Sequence, residues 1–573
     1  MLTFTKRHAM QMKILPQRAS RRAFFPLLAG LILAITLYTL TRLDPGSLTP
    51  LRTGEKFSAG GNGEKSGSGG GGKGEGIQGQ TSSPIIYRPE LEPGLCPPEI
   101  EFLRRPELGL SNDILYTRRC IKPAVHRAGF DRDVIANVSD PLISSKTQVN
   151  LTSCEAERSD IPCEPLTLQV PAPYPKAQGQ YSHLLFGVAS TYERMQDSLP
   201  AFAHWMAGTG ARLVGTVADA LPGRDFNLTS LEEEYARAGV QATFLPPKMT
   251  KRISNNADDD RPVPVEHHHF LLIRELIRIV NEDDDDSGSK DPSEDGIGML
   301  TRRTPTTSKT KWLGILDDDT FFPSLYPLDE ELKRHDHTKP QWLGALSENF
   351  EHVKLFGFMA FGGAGAFMSV PLARTLEPHA ERCIRETLLN TGDGILRDCV
   401  YSHSRAKLTL VPDLYQHDFK GDPSGFYESG VRPLSLHHWK SWYKAPAPAM
   451  AAVAKAVCGD CFLQRWTFGE GKVVLSNGYS IAVYKDGVKG VAPGGKVDLG
   501  RVEGTWHNPE RKYDFSYGPL RKKLEAPEKK SYRLVDVNEN TGRRELRQVY
   551  VHKARDDGGG VDEVVELVWE IPS

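Results

Sequence analysis

The sequence predicts an α/β body, preceded by an N-terminal membrane anchor and followed by a smaller β-rich region. Three observations predict it. Strand-like and helix-like patterns alternate from Ser182 to Leu346, as a mostly parallel sheet with crossover helices requires. An uncharged run near the N-terminus is long enough to cross a bilayer. Beyond about residue 450 the chain changes to short β-type runs such as "KVVLSNGYSIAVYKDG", "SYRLVDV" and "VDEVVELVWEI".

At 573 residues there is room for two to four domains. Charged residues make up 25% and the net charge is −2, which lacks the concentrated basic face that nucleic-acid binding needs. The apolar run is Ala23 to Thr41, 19 residues fenced by Arg22 and Arg42. As a helix it would reach about 28 Å, close to the hydrocarbon thickness. Residues 1–22 carry Lys6, Arg7, Lys13, Arg18, Arg21 and Arg22 and no acid, so this tail is expected to stay cytosolic and the rest to be lumenal. The run ends in "LTRLDPG" rather than in small residues, which points to a signal anchor instead of a cleaved peptide.

Residues 42–95 are rich in Gly and Ser and read as a flexible stem. Residues 96–180 hold four of the eight cysteines and read as a stapled collar; Cys383, Cys399, Cys458 and Cys461 follow later. An even count behind an anchor predicts disulfides, with no pairing deducible. Asn137, Asn150 and Asn227 each lie in an N-x-S/T sequon and are expected to carry glycans in a secretory compartment.

The α/β body is expected over 181–445, with a β-rich module over 446–573. "HLLFGVAS" gives its first strand, followed by a helix with Ser198 as cap and Pro200 in its first turn. "RLVGTV" gives a second strand ending near Asp219. A helix over Glu266–Asn281 carries Phe270, Ile273, Leu276, Ile277 and Val280 on one face. His267, His268 and His269 at its start read as helix-entry residues, because metal-binding pairs on a helix prefer i, i+4 spacing. "QWLGAL" echoes "KWLGIL" and reads as its neighbouring strand.

Three acidic runs stand out. Asp258–Asp260 and Asp283–Asp286 lie among Asn, Ser, Gly and Pro and read as solvated loop, the latter within a polar insertion over 282–310. Asp317, Asp318 and Asp319 instead follow directly on an apolar strand, Trp312 to Leu316. Strand ends are where open α/β sheets hold ligands, so this triplet points to a metal or a ribose. Downstream come "FGGAGAFMS" with Gly362, Gly363 and Gly365, then Asp393 between two glycines, then His437 and His438 in "PLSLHHWKSW". Carboxylates with a histidine form a mixed oxygen and nitrogen donor set that suits Mn²⁺.

With "ILDDDTFF", "FGGAGAFMS", "GD" followed by Cys399, and "SLHHW", residues 181–443 resemble glycosyltransferase family 31, the Fringe and core 1 β1,3-galactosyltransferase kindred, and most of all its fungal-type members. The resemblance implies a GT-A (Rossmann-like) fold, Mn²⁺, a UDP-sugar donor, a glycan or glycoprotein acceptor and a type II Golgi membrane protein. By position it makes Asp319 a metal ligand with Asp318 beside it, and His437 a further ligand with His438 as the adjacent alternative. It puts Asp317 toward the ribose, Asp219 on the uridine, and Ser190, Thr191 and Gly363 against the donor. Asp393 matches the base. The implied reaction is inverting transfer of a hexose or N-acetylhexosamine from the UDP-sugar, in β1,3 linkage. The chain departs from the family in having Gly392 where a glutamate precedes the base, and Arg397 where a glycine follows. The competing reading is a catalytically inactive, membrane-anchored glycan-binding protein of the same fold. A phosphotransferase fits less well, since no P-loop or kinase-type lysine motif is present.

Overall fold

A computed structural model describes residues 96–572 except 127–129, 155–160, 177–178, 222, 225, 250, 254–260, 289–308, 508–514 and 558. The expected tail, anchor and stem, the run Asp258–Asp260 and most of the polar insertion lie outside the described residues. Among the described residues no helix is long and apolar enough to cross a membrane.

Four strands come first: β1 (Asp113–His126), β2 (Ala136–Val138), β3 (Thr147–Asn150) and β4 (Glu164–Pro171). The α/β body then runs β5 (Leu184–Ser190), α1 (Tyr192–Met206), β6 (Arg212–Val217), α2 (Leu228–Arg237), β7 (Gln241–Leu245), α3 (Val265–Gly288) and β8 (Trp312–Leu316). It continues through α4 (Leu325–Leu332), β9 (Trp342–Gly344), α5 (Phe350–Phe356), β10 (Ala366–Ser369), α6 (Val370–Leu376), α7 (Ala380–Glu386), α8 (Gly392–His403) and β11 (Leu408–Leu410). Six strands follow: β12 (Arg465–Phe468), β13 (Val473–Ser476), β14 (Ser480–Tyr484), β15 (Lys529–Asn540), β16 (Glu545–His552) and β17 (Asp562–Glu570).

The body is built on a seven-stranded sheet in the order β11-β9-β10-β8-β5-β6-β7. Strand β10 runs antiparallel to both neighbours and every other pair is parallel. The echo of β8 in β9 is therefore not an adjacency, because β10 lies between them. Helices cover both faces, which is why β8 is apolar along its whole length and β5 is apolar up to its last residue, Ser190. On one face α3 lays Phe270, Ile273, Leu276 and Val280 against the sheet, and Gly187 of β5 lets Leu276 approach to contact. On the other face Trp205 of α1 packs edge-on against Phe186 and Phe322. Each such buried side chain contributes about 1.5–3 kcal/mol.

Two local expectations are corrected. Helix α1 starts a turn and a half earlier than Ser198, at Tyr192, because Met195 and Phe202, seven residues apart, share its buried face. Thr191 is the cap, accepting from Arg194 N, and Ser198 Oγ donates to Arg194 O at 2.7 Å inside the helix. Helix α3 does not stop at Asn281 but runs on to Gly288, through Asp283 and Asp284. Asp283 pairs with Arg212 of β6 at 2.5 Å and Asp284 with Arg374 of α6 at 2.8 Å, so this part of the run is helix end, not loop.

The second sheet joins what the sequence separates. Its order is β2-β12-β13-β14-β15-β16-β17-β1-β3, with β4 also paired to β1. Collar strands and C-terminal strands thus form one ten-stranded layer, with Ile114 to Ile121 of β1 in parallel register with Asp562 to Trp569 of β17. Neither stretch alone could bury its apolar face; together Ile114, Tyr116, Val549, Val551 and Val564 form one core. A buried ionic knot fastens this layer to the α/β body: Glu428 meets Lys529 at 2.6 Å, Arg533 at 2.8 Å and Ser480 Oγ at 2.7 Å. All eight cysteines pair, Cys96 with Cys154, Cys120 with Cys163, Cys383 with Cys399 and Cys458 with Cys461.

Candidate active site

The site lies at the C-terminal end of β8. Asp317 N donates to Thr320 Oγ1 at 3.1 Å, Thr320 N to Asp317 O at 3.1 Å, and Thr320 Oγ1 to Gly363 O at 3.0 Å. These bonds fold the triplet into a tight turn against the glycine loop. Directly after it, Phe321 and Leu436 exchange both backbone hydrogen bonds, at 2.9 and 2.8 Å. That bridge sets His437 and His438 over the triplet.

The three aspartates then part company. Asp318 is buried against Ser190 Oγ and the Arg194 guanidinium, whose Nε lies at 2.5 Å. It belongs to an ion pair and lies outside the candidate cluster of Asp319, His437 and His438. Asp319 is buried with Oδ1 at 3.0 Å from His437 Nε2; Ser441 Oγ donates to its other oxygen at 3.3 Å and Trp439 Nε1 to its backbone carbonyl at 2.6 Å. Asp317 turns to two imidazoles: Oδ2 lies 3.2 Å from His437 Nε2 and Oδ1 lies 3.3 Å from His269 Nε2.

His437 is aimed by its far side. Its Nδ1–H donates to the Gln416 carbonyl at 3.0 Å, which leaves Nε2 to face the carboxylates. Glu348 holds that loop by accepting from Gln416 N at 2.7 Å and His417 N at 2.9 Å. Tyr443 OH donates to the His437 carbonyl at 2.7 Å. Burial disfavours charge on His437, yet Asp319 and Asp317 outweigh it and raise its pKa well above the ordinary value. Positive charge is thus favoured where Nε2 and the carboxylates converge, and a divalent cation satisfies that demand as well as a proton does. Asp319, His437 and His438 can each present one ligand atom, all within 4.8 Å of one another. His438 sits at φ 56°, stacked on Trp442, with Asp418 Oδ1 3.4 Å from its Nε2. The donor set fits a hard-to-borderline cation such as Mn²⁺.

The glycines make room for rings. A Cβ on Gly363 would lie 2.2–2.5 Å from the His437 imidazole, so what approaches this glycine closely is His437. A Cβ on Gly392 would lie 2.4 Å from His269 Nδ1, which explains why no glutamate can precede Asp393 in this chain. Asp393 stands in the first turn of α8, whose cap is Thr391, accepting from Gly394 N at 3.1 Å. Burial raises the Asp393 carboxyl to about 6 and the Asp317 charge adds to the rise, while His269 and the nearby Gly362 amide hold it back.

His269 is the residue that sequence reasoning missed. It was weighed only for spacing within its own helix, whereas its partner comes from β8. The signal was present: it shares a face with Ile273, Leu276 and Val280, so helical period alone places it inward. Arg194 and Glu348 carried no such mark. Ser190 is brought to the site through Asp318. Thr191 and Asp219 both serve the start of α1, Thr191 as cap and Asp219 by accepting from Tyr192 N at 2.9 Å. Among the sequons, Asn137 is exposed on β2, Asn227 is exposed as the cap of α2, and Asn150 donates from Nδ2 to Asp113 at 2.8 Å.

A family model described as "Protein of unknown function, DUF604" matches residues 352–557, which takes in Asp393, His437 and His438 but not the acidic triplet. No curated protein matches the chain in sequence. Among solved structures the chain is similar to the mannosyltransferase PcManGT from Pyrobaculum calidifontis in complex with GDP-Man and Mn²⁺, at 10% identity and a TM-score of 0.22 over 43% of this chain. The chain spans 60% of that protein's length. It is also similar to mouse xyloside xylosyltransferase 1 in its apo form, at 10% identity and a TM-score of 0.25, over 40% of this chain and 84% of that one. Both are glycosyltransferases.

Proposed function

We propose that the α/β body is a GT-A-type domain of the family 31 kind and that the chain is an inverting glycosyltransferase. It would move a hexose or N-acetylhexosamine from a UDP-sugar to a glycan or glycoprotein hydroxyl, in β1,3 linkage. The observation that carries this reading is the convergence of Asp319, His437 and His438 on one point at a strand end, with Asp393 on the neighbouring helix. Asp319 and His437, with His438 beside them, would hold Mn²⁺. The bound cation would act as a Lewis acid on the diphosphate, countering the charge of the departing UDP. Asp393 takes the proton from the acceptor hydroxyl as that oxygen bonds to the anomeric carbon. The bond from that carbon to the diphosphate oxygen breaks, and UDP leaves with the electron pair. A carboxyl raised to about 6 is still mostly ionised at neutral pH and is a stronger base than an ordinary aspartate. Ser190 and Arg194 fix Asp318 and so brace the turn that carries Asp319.

The run Ala23–Thr41 supports a type II anchor in the Golgi membrane, with Asn137, Asn150 and Asn227 as glycan sites. The reaction is tested by incubating the full chain with UDP-galactose, UDP-GlcNAc or UDP-glucose together with a mixture of glycan and glycoprotein acceptors. UDP release that requires Mn²⁺ and stops with a chelator supports it; no release from any donor, with or without metal, removes it.

A further inference from the structure

Two buried polar atoms at the site are poorly satisfied: Asp393 Oδ1 has no hydrogen-bond partner among the described residues, and His269 Nε2 has only the 3.3 Å approach of Asp317 Oδ1. Such atoms are rare in native structures and ask for an explanation. They flank the same glycine: a Cβ on Gly362 would lie 2.8 Å from Asp393 Oδ1 and 3.1 Å from His269 Nε2. The imidazole is seated between Gly362 and Gly392, and its Nε2 lies 3.3 Å from Asp317 Oδ1. The ring thus meets the Asp317 carboxylate of β8 directly and shares the wall at Gly362 with the Asp393 carboxylate of α8. Two carboxylates so placed repel, and an imidazole able to carry a proton offsets the repulsion. Asp393 feels the charges of His269, Asp317 and His437; His269 feels those of Asp317, Asp393 and Glu266 of its own helix.

We propose that His269 is a positioning residue for the transfer step, holding the Asp393 carboxylate in place against Asp317; this rests on the reading of Asp393 as the base. The cation ligands do not touch His269, so its loss should spare donor and metal binding. The test measures UDP release by the full chain with Mn²⁺, a mixture of glycan and glycoprotein acceptors, and whichever of UDP-galactose, UDP-GlcNAc and UDP-glucose turns over. His269→Gln keeps hydrogen-bonding capacity but not the charge. Its turnover at saturating donor should fall about 10- to 100-fold. KM for the donor and the Mn²⁺ requirement should stay within about twofold. The acid limb of the pH profile should move to higher pH, because a positive neighbour that lowers the Asp393 pKa is gone. Gly392→Ala, whose methyl displaces the ring, should reproduce the pattern with His269 present, and it decides the matter if His269→Gln does not fold by circular dichroism. An unmoved acid limb in a folded variant, whether turnover is unchanged or falls together with donor affinity, overturns the inference and leaves the reaction standing. Absence of UDP release from the wild type with all three donors overturns both.

Discussion

Asp283 and Asp284 close helix α3, each set against one arginine from another element. Asp317 and Asp319 close strand β8 and are set against His269 and His437. The first run has four aspartates to the second's three, but the first is answered by permanently charged groups and the second by rings that gain and lose a proton. An arginine quenches a carboxylate for good; an imidazole leaves it available to a cation or a ligand. Asp318 shows the same rule inside the triplet: Arg194 has claimed it, and it takes no place in the candidate cation site. What faces a carboxylate, and not how many lie together, decides whether it is a site.

The strongest way to break this comparison is Asp319→Ala. It should abolish Mn²⁺-dependent UDP release, because the buried carboxylate nearest His437 Nε2 is lost. Residual turnover above about 1% of wild type would show the cation is held elsewhere.

Asp393→Asn should lower turnover by about 10²- to 10⁴-fold while UDP and Mn²⁺ bind as before, as calorimetric titration would show. Since Thr391 caps α8, the substitution should leave the melting temperature nearly unchanged. The wild-type rate should fall as pH drops below about 6, where the carboxyl takes up its proton and ceases to be a base. A profile flat down to pH 5 would detach Asp393 from the rate.

Glu428 sharpens the other half of the comparison, a carboxylate met by Lys529 and Arg533. Burial opposes its charge, but the two cations prevail and hold its pKa at about 2. Its folded pKa is depressed, so its contribution is present above the ordinary value of 4.5 and is lost as pH falls from there through about 2. Glu428→Gln should cost about 2 kcal/mol in urea unfolding, since Lys529 keeps only Glu503 and Arg533 loses its nearest carboxylate, and should flatten the acid dependence of stability.

The smallest effect belongs to the helix end. Neutralising Asp283 and Asp284 to Asn should cost under about 1 kcal/mol for each partly exposed pair and leave UDP release intact. A loss of turnover comparable to that of Asp319→Ala would erase the distinction between the runs.

The alternation of β5, α1, β6, α3 and β8 was legible because period and burial agree over those stretches, as was the site character of the triplet, because it follows a wholly buried strand. The joining of β1 to β17 was not: pairing partners so far apart leave no local trace, and the two stretches read separately, as a cysteine-stapled collar and a β-rich module. The start of α1 was misplaced because Thr191 and Ser198 are both good caps, and only the buried Met195 chooses between them. His437 could be picked out by motif, but its tautomer depends on Gln416 O and so on Glu348, residues with no pattern of their own.

The parallel pairing of Ile114 with Asp562 also sets a timetable. During synthesis at roughly 5–20 residues per second, β1 leaves the ribosome tens of seconds before β17 exists. Throughout that interval the edge of β1 destined for β17 offers open backbone groups to any passing strand. Its opposite edge can be closed at once, because β4 pairs with it and Cys120 can bond to Cys163 within the same early segment. A nascent chain that forms this bond early has one edge to shield instead of two. Cys120→Ser should accordingly lower the yield of folded protein more than it lowers the stability of the molecules that do fold.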